Sequence, residues 1–322
     1  MESSLIAAFL FDGKGGGKIF DWPEVRNCSA GQGTLWMHLD YKVDETHQWL
    51  EEESGLEPIV LEALLAEDTR PRCISYPCGM LVILRGVNLN PGADPDDMIS
   101  LRVWLEPQRI ISIRHRKVMA VDDIRKSVLE GDGPTDAGDF LFLLTRGLAY
   151  RIGDVLEQID DEVDALEDEV LEQGTFEQRS KLSSLRRKII RIRRYLAPQR
   201  EVMTRLQTEK TSLLSDMDRI KLREVADHIT RYVEDLDSAK DRAAVCQEEL
   251  ENRIGAQMNK TLYILSIITA IFLPLGLITG LLGINVGGIP GSENPFAFIF
   301  VCLLLLIIVI GQVMIFRRVH WV

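Results

Sequence analysis

No Asp, Glu, Lys, Arg or His lies between Thr261 and Asn285, or between Pro295 and Phe316. An uncharged apolar run of that length can cross ~30 Å of hydrocarbon as a helix. The same absence excludes a carboxylate or histidine inside either run that would bind a bare metal ion or carry a proton there. With no phosphate loop, nucleophile elbow or HExxH motif, an enzyme has little support. The 5 cysteines, Cys28, Cys73, Cys78, Cys246 and Cys302, form no CxxC pair. They read as structural or incidental thiols of a reducing compartment rather than as a zinc centre. The 5 histidines, His38, His47, His115, His228 and His320, are scattered and read as ordinary surface or core residues. Met1 to Lys14 has Glu2 where a signal peptide carries basic residues, and its apolar run, Leu5 to Phe11, is short. No signal peptide is expected.

What is present begins with two spans, read as 262–282 and 296–316, within a transmembrane domain at 259–316. Two crossings return both termini to one compartment. Arg253 and Lys260 precede the first span, Arg317 and Arg318 follow the second, and 286–295 holds no Lys or Arg. By the positive-inside rule the large N-terminal region and the tail, 317–322, are cytoplasmic. The formal net charge of -12 argues against a nucleic-acid partner and for a field that concentrates cations.

Residues 1–136 read as an α/β domain. Leu5 to Asp12, Thr34 to Leu39, Cys73 to Leu89 and Ser100 to His115 are rich in Val, Ile, Leu and aromatics and are expected as strands, the last two joined through Pro91-Gly92. Asp44 to Ser54 and Pro58 to Ala66 carry helical spacing. The charges of Glu67-Asp68-Thr69-Arg70-Pro71-Arg72 are expected on neighbouring backbone or acidic side chains rather than on a ligand.

Residues 137–258 read as a helical hairpin and a stalk helix. Ile152, Leu156, Ile159, Val163, Leu166 and Val170 alternate steps of four and three, the seam of a coiled-coil-like helix. Around that seam stand Asp160, Asp161, Glu162, Asp164, Glu167, Asp168 and Glu169. The next helix carries Arg186, Arg187, Lys188, Arg191, Arg193 and Arg194, so the two are expected to pair as an antiparallel hairpin. Two readings of the acidic run stay open: a solvated face partly paired to that basic helix, or an electrostatic collector for divalent cations.

From about Asp216 nothing stops a helix until Pro274, which is expected to bend it. Stepping back from Gly283 by three and four gives one row: Gly280, Gly276, Leu273, Thr269, Ser266, Leu262, Asn259, Gly255, Asn252, Glu248, Val245, Asp241, Ser238 and Glu234. It is small or weakly polar inside the membrane and polar to acidic below it. Close packing against another helix explains the glycines. A conduit formed by a ring of such helices also explains why Asn259, Asn252, Glu248 and Asp241 continue the line. Two spans per chain cannot enclose water alone, so a conduit demands an oligomer.

Gly283-Ile284-Asn285 ends the first span, and Arg193-Arg194-Tyr195-Leu196-Ala197-Pro198-Gln199-Arg200-Glu201 lies upstream. With the two C-terminal spans, these resemble the CorA-type divalent metal-ion transporters over essentially the full length. The chain is most similar to the ZntB zinc-transporter branch, in which stretches like Val286-Gly287-Gly288-Ile289-Pro290-Gly291, Trp36-Met37-His38-Leu39 and Thr69-Arg70-Pro71-Arg72 recur. It departs from the magnesium-transporting members, which usually have Met at the middle of the tripeptide and an acidic loop after it; here stand Ile284 and a glycine-rich loop with one acid, Glu293.

The resemblance implies a funnel-shaped homopentamer in a bacterial inner membrane, with the first spans inside. Five copies of Asn285 would ring the periplasmic entrance and bind a dication through its hydration water, with the Gly283 carbonyl below. Zinc is the expected cargo, with cadmium, cobalt, nickel and magnesium open, and no cofactor is expected. On its own Asn285 also reads as a helix C-terminal residue tolerating a left-handed turn. Proton coupling, which the branch implies, would fall on Glu248, Asp241, Glu234 or Glu293. A membrane-anchored cation sensor would explain the acidic helices but not the row.

Overall fold

The computed structural model describes residues 3–28, 31–67, 69–172, 176–209, 211–284 and 294–318. The chain divides into two units, Met1–Glu248 and Glu249–Val322. In the first, β1 (Leu5–Phe11), β2 (Gly17–Ile19), β3 (Leu35–Asp40), β4 (Arg72–Tyr76), β5 (Gly79–Gly86), β6 (Ile99–Leu105) and β7 (Arg109–Arg114) form one sheet in the order β2-β1-β3-β7-β6-β5-β4. All neighbours are antiparallel except β3 and β7, which run parallel with Leu35 opposite Arg109 and Asp40 opposite Arg114.

Two apolar runs expected as single strands are hairpins, and proline is the reason. Pro77 and Pro107 each lack the N–H that a central strand needs, so the chain turns at both. The second turn is held by the Glu106 and Arg109 main chains, 2.8 and 3.4 Å, and by Arg109 Nε donating to Glu106 Oε2 at 2.8 Å. Three short elements lie outside the sequence expectation: β2, α1 (Trp22–Arg26) and α4 (Met119–Glu130). The signal for α1 is the Asp21–Glu24 capping box. That for α4 is Ala120, Val121, Ile124 and Val128 buried at helical spacing and closed by Gly131, φ 83°.

The sheet is buried on both faces. Leu35, Met37 and Leu39 pack with α2 (Asp44–Glu52) and α3 (Pro58–Leu65) through Trp49, Leu50, Val60 and Leu64. The alternate residue Trp36 faces the other way, its ring centroid 5.0 Å from that of Phe140 on α5 (Ala137–Glu172). The seam Ile152, Leu156, Ile159, Val163, Leu166 and Val170 is buried, against α6 (Phe176–Thr208) and α7 (Asp216–Leu282). On α7, Val225, Ile229, Val233, Leu236, Ala239, Ala243 and Cys246 supply the matching row. The second unit holds the rest of α7 and α8 (Ala297–Arg318). Both helices are long and apolar enough to cross a membrane, and their apolar windows are wholly unburied. Leu273 is 68% exposed and Phe298 78%. Such surface has no favourable place in water.

Candidate functional site

In the second unit Asn252, Asn259, Leu262, Ser266, Thr269, Leu273, Gly276, Gly280, Gly283 and Ile284 are exposed, and Gly255 is half-buried. The less exposed positions, Ile267, Ala270, Ile271, Pro274, Leu275 and Ile278, form a separate face. Counting ~100° per residue, the two faces lie about half a turn apart. Gln312 on α8 donates to the Ala270 carbonyl at 3.2 Å, so the apolar face is the one α8 takes and the row points away from it. Asn285 and Glu293 lie outside the described residues, as does His320.

The hydroxyls on and beside the row are arranged alike. Ser266 Oγ donates to Leu262 O at 2.8 Å and Thr269 Oγ1 to Leu265 O at 2.9 Å. Thr279 donates to Leu275 O at 2.9 Å. Each spends its proton on its own helix, which leaves the oxygen lone pairs as outward acceptors. Water held on a cation is a donor, so this surface suits a hydrated ion. At the helix end Gly283 N donates to Thr279 O at 2.9 Å and to Gly280 O at 3.2 Å. The carbonyls beyond carry the negative end of the helix dipole, about half an elementary charge, which also favours a cation.

In the first unit Glu234, Ser238, Asp241, Val245 and Glu248 occupy the exposed side of α7. Asp241 is not bare, because Lys240 Nζ stands 3.3 Å from it. Val245, 68% exposed, makes one level of this face apolar.

The acidic run on α5 is paired in part to the basic helix, as one reading expected, and in part to α7. Arg242 of α7 binds Glu167 through two bonds, Nε–Oε1 at 3.1 Å and Nη2–Oε2 at 2.6 Å, Asp160 at 2.9 Å, and Asp164. A guanidinium thus ties the three carboxylates together, and its hydrogen bonds to Glu167 and Asp164 raise its pKa. Of the basic residues on α6, Lys188 reaches Glu162 at 2.8 Å and Lys181 reaches Glu169 at 3.4 Å, but Arg193 pairs with Asp237 at 2.6 Å, Arg191 with Asp96 at 2.6 Å and Arg186 with Gln247 at 2.5 Å. The basic helix therefore serves α7 and the β5–β6 loop more than the acidic run, because helical phase turns most of its cations away from α5. Asp161 and Asp168 face solvent. Among the described residues no group of three His, Cys, Asp or Glu side chains could hold a metal ion.

Two motif stretches converge on Arg85 of β5. Its main-chain N–H donates to Gln199 Oε1 at 2.7 Å, its guanidinium lies 4.4 Å from the Tyr195 ring, and Nη2 donates to Thr69 O at 2.5 Å. These residues clamp α6 onto the sheet. His38 is likewise core: Nδ1 meets Ser112 Oγ at 2.8 Å, and burial, with Arg114 nearby, pushes its pKa down to about 3. His115 stacks on Tyr41 with centroids 3.8 Å apart, and burial beside Arg102 lowers it to about 4. A cavity of about 630 Å³ between α5, α6 and the β5–β6 loop is lined by the ion pairs Lys181–Glu169, Lys188–Glu162 and Arg191–Asp96 and by Asp94.

Two uncharged membrane-length helices, the first bearing an outward row of acceptors, place this chain among membrane proteins that move hydrated ions. It matches the family described as CorA-like Mg2+ transporter protein over residues 31–318, and it belongs to that family. The divalent cation transporter CmaX of Pseudomonas aeruginosa is 39% identical over 323 residues, covering 99% of this chain and 97% of its own length. The zinc transport protein ZntB of Yersinia enterocolitica is 34% identical over 319 residues, covering 99% and 96%. The solved structure of full-length CmaX, 38% identical, superposes with a TM-score of 0.86 over 100% of this chain and 99% of that one.

Proposed function

We propose that this divalent cation transporter carries zinc through a conduit lined by the α7 helices of several copies, five in the arrangement that the family resemblance implies. The observation that carries the reading is the outward row of Ser266, Thr269, Gly276, Gly280 and Gly283 on the face opposite α8. A single chain leaves that face without a protein partner among the described residues, and a ring of copies would turn it inward onto water. Asn285 receives the hydrated ion at the outer mouth. Asn259 and Asn252, then Glu248, Asp241 and Glu234, carry it toward the cytoplasm, where both termini lie in this scheme.

Zinc as cargo is supported by ZntB relatives such as that of Yersinia enterocolitica. Amide and hydroxyl oxygens are hard ligands with no inherent preference for zinc, so any selectivity rests on how the ion's water shell fits. The described parts of the spans hold no Asp, Glu, Lys, Arg or His to relay a proton. A coupled proton would move on Glu234, Asp241, Glu248 or Glu293. The test is metal-dye flux in proteoliposomes with the pH gradient imposed, absent and reversed. Wild type takes up zinc, and Asn285→Ala abolishes uptake while leaving the oligomer intact. Magnesium, cobalt or nickel flux without zinc flux would reassign the cargo. No flux of any dication would point instead to a membrane-anchored sensor.

A further inference from the structure

Pro274 has no N–H, so the carbonyl four residues earlier, that of Ala270, loses its helical donor. In hydrocarbon no water replaces it. Gln312 holds the sole amide side chain of the second span, and its Nε2 donates to that carbonyl at 3.2 Å. The acceptor fixes which way the amide points, since only the NH2 end can serve a carbonyl. Gln312 Oε1 is buried with no hydrogen-bond partner among the described residues, so the Ala270 bond is what places this polar group on an otherwise apolar helix face.

We propose that Gln312 is a positioning residue for transport. Its amide replaces the hydrogen bond that Pro274 removes, and through it the second span sets how the two halves of α7, Leu262–Leu273 below and Gly276–Gly283 above, line up along the conduit. The inference rests on α7 lining that conduit. It adds that the outer helix governs the alignment of the inner one at this polar contact.

The experiment is a double-mutant cycle in proteoliposomes reading initial zinc uptake, with melting temperature measured on the same purified proteins. Gln312→Met keeps the volume and removes the donor. In the Pro274 background it lowers uptake at least fivefold and lowers the melting temperature. In Pro274→Ala the new N–H of residue 274 serves the Ala270 carbonyl, so adding Gln312→Met changes either quantity by less than half as much. Gln312→Asn, one methylene short of the carbonyl, behaves as Met does.

Equal effects of Gln312→Met in both backgrounds would overturn the proposal, as would wild-type uptake in Gln312→Met. If Pro274→Ala alone stops uptake, the melting temperatures decide by the same comparison. Coupling in melting temperature together with unimpaired uptake in Thr269→Val would retain the contact and reject the conduit reading, so the two failures are distinguishable.

Discussion

Arg242 binds Glu167 side-on across the α5–α7 interface, Nε to Oε1 at 3.1 Å and Nη2 to Oε2 at 2.6 Å, while also holding Asp160 and Asp164. One cation thereby bridges three carboxylates spaced along one face of α5. A planar fork suits this geometry as a lysine would not. Arg242→Met leaves those carboxylates facing one another, and the expected loss is about 1–2 kcal/mol, read as a fall of several degrees in melting temperature. Arg242→Lys recovers part of it. An unchanged melting temperature in Arg242→Met would show that solvent already screens the triad.

Gly153 on α5 lies against Tyr232 of α7: a Cβ added there would come within 2.5 Å of the phenolic oxygen. Gly153→Ala gains up to ~1 kcal/mol of helix propensity, but overpacking of a fitted contact takes back about 1–3 kcal/mol. A net destabilisation of roughly 1 kcal/mol is expected in chemical denaturation. Tyr232→Phe removes the clashing atom, so the double variant should be more stable than Gly153→Ala alone.

Acid sensitivity follows from one buried ring, His38, and one half-buried ring, His115. The folded pKa values of His38 and His115 fall from the ordinary 6.5 to about 3 and about 4. Between pH 6.5 and 4 the unfolded chain binds protons that the folded chain refuses, so this stability is full above pH 6.5 and drains away as the pH falls. His115→Phe keeps the stack on Tyr41 and removes one titrating group. Its melting temperature should decline less steeply than wild type across that window, and parallel curves would refute the assignment.

Thr269→Val removes an outward hydroxyl acceptor at nearly constant volume. Its donor serves only its own helix, so stability should hold while uptake falls several-fold, in line with ~1 kcal/mol for one hydrogen bond to a passing hydrated ion. Leu265→Val, one turn away off the row, serves as control. Equal loss in both would mean that packing, not the hydroxyl, matters.

Much of the candidate site was legible in the chain because it depends on local chemistry. Ser266, Thr269, Gly276, Gly280 and Gly283 recur at three-and-four spacing, and a helix turns such spacing into a face. Pro77 and Pro107 were equally readable as strand breakers, yet they were outweighed by the long apolar runs around them. Gln312 could have been found by asking which donor serves the carbonyl that Pro274 strands.

The amino-acid sequence by itself determined that two uncharged helices end this chain, that the first carries a polar row, and that the whole belongs with the CorA-like transporters. Hydropathy and helical period are properties of neighbours along the chain, and they need no tertiary contact to be read. Only the tertiary structure decided which charges meet, since pairing depends on distance in space and on helical phase. Arg242 reaches acids 75 to 82 residues away, Tyr195, Gln199 and Thr69 close on Arg85, and acids of the α5 run are the latch between α5 and α7.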